Sequence, residues 1–373
     1  MLKKIVSMCI VLTLLWSSTL IAWGAQSRPV KYTLEKAMDA AVENSSSLKL
    51  LEDKIKLAER RYNMAVAASK VAPEKYWSTD AQHVSNKNEE LLFPLQREEE
   101  LKELKREMQY TEKQLRIDVA SLYYKILQTQ SYIEEQDNII SRAKMEYEAM
   151  KKKVATGVQA QSMLLSYEIS VKDAEAKLTA YQRDISNLYM SFNESLGLGL
   201  DVVVAFANAE LPEVNFHVDD VDKLALDVVA ASHDVKKLET EKLITKTKYD
   251  ILYQYSFYRP DECDALEDSL LNSDYSIRDK KIAVELKVRS DYNDLLNLGD
   301  EIAITKMDYE LKGKLLDIAQ TKYELGLSTY LDFAKAEGEK DAALISYNKA
   351  KLDYYIAAQS FLLYIDPVEI GDE

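Results

Sequence analysis

The chain has few of the residues that interrupt helices or cross-link a fold. Its 373 residues include only 9 glycines and 6 prolines, and the prolines leave the stretches 95–211 and 261–366 uninterrupted. Because a proline inside a helix costs about 3 kcal/mol, both stretches are able to form very long helices. There are also only 2 cysteines, Cys9 and Cys263, and Cys9 lies in an apolar N-terminal run. Without that run, no intramolecular disulfide can form.

The N-terminus has the pattern of a secretory signal peptide. Two lysines precede the apolar run, and the small residues Ala22 and Gly24 offer a cleavage site before Ala25. We therefore predict that residues 1–25 direct export to the cell envelope. The run approaches the length that spans a bilayer, so an uncleaved N-terminal anchor is the alternative.

Charge and the lack of catalytic patterns exclude several classes of function. The formal net charge of −15 disfavours nucleic acid as a partner. The three histidines lie far apart in the sequence and have no zinc-like spacing. The acidic run from Asp261 to Asp268 lacks the order of a calcium loop, and we interpret it as a solvated loop. Since no phosphate loop or nucleophile elbow is present either, we predict a protein that is not an enzyme and has no cofactor.

One helical pattern occurs twice along the chain. Tyr292 follows Tyr123 by 169 positions, and this offset holds without a gap around Gly157 and Gly326. Further upstream the offset rises to 187, between Tyr62 and Tyr249, so the first copy holds an insert before its second long helix. A duplicated unit with a variable insert is typical of repeat architectures.

Each copy predicts a long antiparallel helical hairpin. Residues from Leu115 to Val154 form a seam with alternating steps of four and three, which is a heptad period of 3.5. The helix that returns after Gly157 keeps this period, and the second copy turns at Gly326. A strict 3.5-residue period predicts a left-handed supercoil of paired helices. The outgoing helix over 95–155 would reach about 90 Å, at about 1.5 Å per residue.

These patterns predict an all-α protein built from two tandem, elongated coiled-coil hairpins. Two local details accompany the prediction: Thr33 is placed to cap the first helix, and Val202 to Phe206 form a short strand. The predicted order along the chain is the signal peptide or anchor (1–25), hairpin repeat 1 (31–200), an inter-repeat linker (201–218), hairpin repeat 2 (219–366) and a tail (367–373).

Several short motifs, taken in their order and spacing, resemble a known family. They are Thr33-Leu-Glu-Lys-Ala37, the turns at Gly157 and Gly326, Ser195-Leu-Gly197, and Gly326-Leu-Ser-Thr-Tyr-Leu-Asp332. The last is similar to the Gly-Leu-x-x-x-x-Asp tip of the TolC-like outer-membrane efflux proteins, and the resemblance covers nearly the whole mature chain. It implies a homotrimer in which three protomers form a twelve-helix tube.

The resemblance also implies a function and the residues that carry it. It implies a passive efflux or secretion duct whose hairpin tips dock a membrane-fusion adaptor protein of an export pump. The adaptor-docking residues would be Gly157, Val158, Gln159, Gly326, Leu327, Ser328 and Asp332. In the first copy Met163 replaces the acidic tip residue. Where some family members carry a constricting aspartate, this chain has Ser166 and Lys335, which become the candidate pore constriction.

The chain departs from the family in one segment of each copy. In the family these segments supply membrane strands, which need about 9–11 residues of alternating polarity. Here 72–88 is polar without alternation and 258–268 is acidic, and we interpret both segments as polar connectors. We therefore expect a TolC-like helical protomer without a clear membrane β-barrel. The resemblance implies the outer membrane as the location, whereas this departure favours the alternative function, a structural coiled-coil envelope protein that conducts nothing.

Overall fold

The computed structural model describes residues 30–207, 210–213, 216–256 and 261–366. The predicted signal peptide and tail therefore lie outside the described residues. Long helices dominate, and the predicted fold class of elongated antiparallel hairpins in two tandem repeats is confirmed. None of the described helices combines the length and the apolar character that crossing a membrane requires.

Both repeats place two shorter helices before the long hairpin, and repeat 1 adds a third short helix between two helical turns. In chain order the elements are β1 (Val30–Tyr32), α1 (Leu34–Asn44), α2 (Ser46–Val71), a 3-10 turn (Ala72–Glu74), α3 (Asp80–Lys87), a π-helical turn (Asn88–Leu92), α4 (Phe93–Ala155), α5 (Gln161–Ser195), β2 (Val204–Phe206), α6 (Val221–Ala231), α7 (His233–Tyr255), α8 (Glu262–Glu324) and α9 (Tyr330–Ile365).

The two longest helices, α4 and α8, each contain 63 residues. At about 1.5 Å per residue, each is about 95 Å long. Pro94 lies in the first turn of α4, where the missing amide proton has no helical partner to lose. Further along, both helices are free of proline, and each ends just before a glycine turn. The local sequence thus sets the length of the whole molecule.

The long helices lie side by side as a four-helix strip. Towards the hairpin turns, α4 packs between α5 and α9, and α9 packs on α8. Towards the other end, α2 packs on α4, and α7 packs on α8. The side-chain amide of Asn44 donates to the carbonyl of Leu196 at 2.9 Å, so α2 begins beside the end of α5. The strip therefore has one edge formed by α5 and α2 in succession, and an opposite edge formed by α8.

Two buried aromatic centres join the inter-repeat linker to the strip. The strand β2 pairs in parallel with β1, with Val204 opposite Val30. The hydroxyl of the fully buried Tyr123 donates to the carbonyls of Ala207, at 2.5 Å, and Tyr32, at 3.2 Å. In repeat 2, the hydroxyl of Tyr292 lies 3.4 Å from the backbone of Val218. The tyrosines that revealed the duplication thus hold the linker in both repeats.

Two sequence predictions about local structure are wrong, and a third holds. The polar segment 72–88 is mostly helical, because Thr79 accepts a hydrogen bond from the Gln82 amide and starts α3. The acidic run predicted as a loop forms the start of α8 instead, since carboxylates are stabilised near the positive end of the helix dipole. Thr33 caps α1 as predicted and accepts a hydrogen bond from the amide of Lys36.

We predict that the substitution Tyr123→Phe lowers the free energy of unfolding by about 1 kcal/mol, because the linker carbonyl of Ala207 and the β1 carbonyl of Tyr32 lose their donor. The matched substitution Tyr292→Phe should cost less than half as much, since the hydrogen bonds of its hydroxyl are longer. Denaturant unfolding followed by circular dichroism measures both. Equal losses in the two variants would contradict the assigned difference between the two linker contacts.

Candidate docking surface at the hairpin tips

The two hairpin turns have the same backbone geometry. Gly157 has φ +73° and Gly326 has φ +70°, a region that favours glycine. In each turn, the amide that follows the glycine donates to the carbonyl of a lysine, at 2.9 Å from Val158 and 2.7 Å from Leu327. This is a Schellman-type helix end, which satisfies carbonyls that the helix leaves open. A Cβ at either glycine would meet no atom within 4 Å, so backbone conformation alone requires glycine there.

The predicted docking residues form an exposed, mostly apolar end of the molecule. Val158 is 69% exposed and Leu327 is 74% exposed. Gln159 is also exposed, whereas Ser328 is only partly exposed, and its hydroxyl has no hydrogen-bond partner among the described residues. The fold keeps these apolar side chains in solvent, where they are free to contact another molecule.

The second tip is fixed by a reciprocal cap that the first tip lacks. The Asp332 amide donates to the Thr329 hydroxyl at 3.3 Å, and the Thr329 amide donates to the Asp332 carboxylate at 3.0 Å. These contacts form a capping box, and the hydrogen bond from the Thr329 amide lowers the pKa of Asp332. In the first tip, Ala160 precedes α5 and offers no side-chain hydrogen bond. Asp332 therefore orders the chain at the tip, beyond its predicted role in docking.

An aromatic cluster, which sequence reasoning missed, supports the second tip. The rings of Tyr323 and Phe333 are stacked with centroids 5.9 Å apart, and Tyr330 lies 5.7 Å from Tyr323 and 6.1 Å from Phe333. We call these three residues the tip aromatic cluster. Comparing the two copies position by position would have found it, because the first copy has no aromatic residue at the matching positions.

The two candidate constriction residues lie on different helices and have different surroundings. Ser166, on α5, donates to the carbonyl of Met163 at 2.8 Å, a contact within its own helix. Lys335, on α9, is exposed and close enough to Glu146 and Glu339 to affect the pKa of each carboxyl group. No hydrogen bond joins Ser166 to Lys335 in the protomer, so their role as a constriction stays a prediction about an assembly.

A cluster of ion pairs joins the two repeats some turns away from the tips. The Arg142 guanidinium on α4 lies 2.9 Å from Asp341, 3.2 Å from Glu135 and 3.5 Å from Glu337, and its side chain is only 11% exposed. The guanidinium packs beside Gly338, where a Cβ would lie in ordinary van der Waals contact, 3.6 Å from the Arg142 Nε. We call these residues the Arg142 cluster. Sequence reasoning missed it because its partners come from separate repeats.

Both edges of the strip carry exposed apolar stripes. The stripe on α2 repeats every seven residues and comprises Leu50, Leu57, Met64 and Val71. The stripe on α8 follows steps of three and four and comprises Ile304, Met307, Leu311, Leu315 and Ile318. Heptad spacing on an uncovered helix face is typical of a surface that packs on another helix. Exposed apolar patches of this size on soluble chains mark interaction sites.

Comparison with solved structures finds the same fold in membrane channels. The Campylobacter jejuni CmeC outer membrane channel matches with a TM-score of 0.64 at 9% identity, over 91% of this chain and 87% of that chain. The outer membrane protein VceC from Vibrio cholerae matches with a TM-score of 0.60 at 14% identity, over 90% of this chain and 96% of that chain. A membrane protein from Pseudomonas aeruginosa matches with a TM-score of 0.60 at 12% identity, over 93% of this chain and 95% of that chain.

At these identities the likeness is one of fold, and it extends along nearly the whole chain. No protein-family model and no curated protein sequence matches it. The comparison therefore supports the architecture that the TolC-like resemblance implied.

We predict that Arg142→Leu destabilises the protein by about 2 kcal/mol, because three carboxylates of a largely buried site lose their cation. The control is Arg116→Leu, which removes an arginine that pairs with Asp39 and Glu112 on the surface and should cost less than about 1 kcal/mol. Thermal and denaturant unfolding measure both variants. A loss at Arg142 no larger than that at Arg116 would show that the cluster does not join the repeats.

We also predict that Glu135→Gln stabilises the protein at neutral pH. Burial, and then a hydrogen bond with Asp341, raises the pKa of Glu135 above its ordinary value of 4.5. Its contribution to stability is thus fully present below 4.5 and is lost as pH rises through the raised pKa. Because glutamine stays neutral, the variant should gain about 0.5 kcal/mol at pH 7 and nothing near pH 4. A gain that does not depend on pH would refute this explanation.

Proposed function

We propose that this chain is the protomer of a passive export duct in the cell envelope. In this proposal three copies close into a helical tube, and the hairpin tips dock an adaptor protein of an export pump. The observation that carries the proposal is the pair of apolar stripes on opposite edges of one four-helix strip. The fold shared with outer membrane channels supports it.

The two edges support a closed ring because they are different surfaces of the same molecule. An interface between unlike edges is head-to-tail, so repeated association forms a ring when the rotation closes. Each added copy would place the edge formed by α5 and α2 against the α8 edge of the next protomer. The α8 stripe lies towards the tips and would be covered by α5, and the α2 stripe would be covered by the first part of α8, which exposes Leu271 and Tyr275. Covering apolar surface stabilises association by about 25 cal/mol per Å². The strip therefore has a physical reason to associate edge to edge.

The tips support docking because they combine exposed apolar groups with a defined backbone. Val158 and Leu327 lie on glycine turns whose hydrogen bonds fix their positions. A rigid apolar group loses little conformational entropy when a partner covers it. The proposed adaptor would pack on these residues, with Gln159 and Ser328 at the rim.

The alternative function is a structural envelope protein with the same fold. The polar, helical segment 72–88 favours it, since this segment differs from what the TolC-like resemblance implied. The two functions differ in what the edges and tips must do. A structural role requires neither a ring of defined size nor a partner at the tips.

For the ring, we predict that the wild-type protein is a trimer and that Met64→Lys or Leu311→Lys converts it to monomers. Each substitution places a charge in the centre of one stripe, where closure would bury it without a partner. Val203→Lys is the control, because Val203 is 73% exposed in the linker and away from both stripes. Native mass spectrometry measures the outcome. A wild-type monomer, or trimers that survive both substitutions, would count against the tube.

For the tips, we predict that a photoreactive amino acid at Leu327 captures an adaptor protein in intact source cells. The same group at Val203, on the linker, should capture none, because that position lies far along the chain from the tips. Mass spectrometry of the crosslinked product identifies the partner. Capture of an adaptor from both positions, or from neither, would remove the support for docking at the tips.

A further inference from the structure

We propose that the two tips of one protomer play different parts in docking, the second as a rigid aromatic anchor and the first as a basic steering surface. The partner would then present an aliphatic side chain to the second tip and carboxylates to the first. This inference rests on the proposed function, because it assigns different roles to the two tips of the proposed docking surface.

The first observation is that the tip aromatic cluster is confined to one copy. Matching positions in the first tip hold an aliphatic or polar residue instead of each ring: Val154, Gln161 and Leu164. Of the three rings in the second tip, Tyr323 and Tyr330 are exposed, and the exposed Leu327 stands on the turn between them. Aromatic rings supply large contact area with few rotatable bonds, and they are enriched among the residues that dominate binding energy.

The second observation is that side-chain hydrogen bonds order the second tip. The capping box of Thr329 and Asp332 fixes the start of α9, and the cluster packs on that same turn. The first tip has no side-chain cap at Ala160. A preordered surface loses less entropy on binding than an uncapped one. The second tip is therefore suited to hold a partner, and the first tip is suited to adapt to it.

The third observation is that the first tip has a local excess of positive charge. The first tip carries the consecutive exposed lysines Lys151, Lys152 and Lys153, and the stretch 149–167 has no acidic residue. The matching stretch of the second tip, 318–336, has two lysines and two acidic residues and is neutral overall. One lysine in the last turn would satisfy the helix dipole, as in α8. Three lysines in a chain of net charge −15 form a local positive field that fits an acidic partner.

The two tips lie close enough to act on one partner. The Arg142 guanidinium on α4 lies 2.9 Å from Asp341 on α9, and the same number of residues separates each of them from its turn glycine, so the two turns lie at one level. Lys153 also contributes to lowering the pKa of Asp332 across the boundary between the repeats. A partner seated on the tip aromatic cluster would therefore have the lysines beside it. Charges at the rim of an interface mainly raise the association rate and its salt dependence, whereas a buried apolar centre mainly slows dissociation.

The chain offers its own matched variants for the test. The tip-2 swap carries Tyr323→Val, Tyr330→Gln and Phe333→Leu, and gives the second tip the residues of the first. The tip-1 swap carries Lys151→Gln and Lys152→Thr, which are the residues that the second copy has at the matching positions. Because each new residue already occurs in the same turn of the other copy, both variants should fold. Their melting temperature and assembly mass should equal those of the wild type.

The readout is photocrosslinking in intact source cells from Leu325, an exposed residue beside the turn and outside both swapped sets. We expect the tip-2 swap to lose about tenfold of the crosslinked protein. The tip-1 swap should lose about threefold at low salt and almost nothing at high salt. Carbodiimide, which couples an amine directly to a carboxylate in contact with it, should link Lys152 or Lys153 to an aspartate or glutamate of the same captured protein.

Each of the other outcomes would contradict a defined part of the proposal. No captured protein from the wild-type chain would remove the proposed docking function itself. Capture that both swaps reduce equally, or that only the tip-1 swap reduces, would leave docking in place and refute the division between the tips. Carbodiimide links that end only on this chain, or capture of lipid instead of protein, would refute the acidic partner.

Discussion

The uninterrupted backbone hydrogen bonding of α4 and α8 is the constraint on which the rest of the structure depends. A helix of 63 residues cannot fold back on itself, so these two helices bury apolar surface mainly along narrow seams with the antiparallel helices beside them. Such a strip has two edges that its own chain does not cover. The stripes on α2 and α8 are the direct consequence, and they are the physical basis of the proposed association with further copies.

The sequence could predict this architecture because its main features depend on local rules. Heptad spacing, the absence of proline and the glycines at positive φ each act within a few residues, and together they define Gly157 and Gly326 as the two turns. The helical insert was missed for a related reason. Polarity was interpreted as a sign of a connector, while the decisive feature was the cap that Thr79 supplies to α3.

What could not be predicted depends on the packing of distant segments. Arg142 and Asp341 belong to different repeats, and a heptad pattern does not specify which rods become neighbours. The hydrogen bond from Tyr123 to Ala207 likewise joins a helix to a linker that has no periodic pattern. The tip aromatic cluster was accessible in principle. Its signal is a difference between the two copies at matching positions, whereas the heptad seams and the turns are features that the copies share.

Comparison of the two copies also separates the positions that the fold constrains from the positions that are free to vary. Tyr123 and Tyr292 keep the linker in place in both copies, and both turns keep glycine, because the backbone leaves no alternative there. The tips themselves are free to differ, and they do so in charge, order and aromatic content. The Arg142 cluster sets the relative position of the two tips, because the same number of residues separates Arg142 from Gly157 and Asp341 from Gly326. Pairing these two residues therefore brings both turns to one level, where the two unlike tips would meet a single partner surface in the proposed docking.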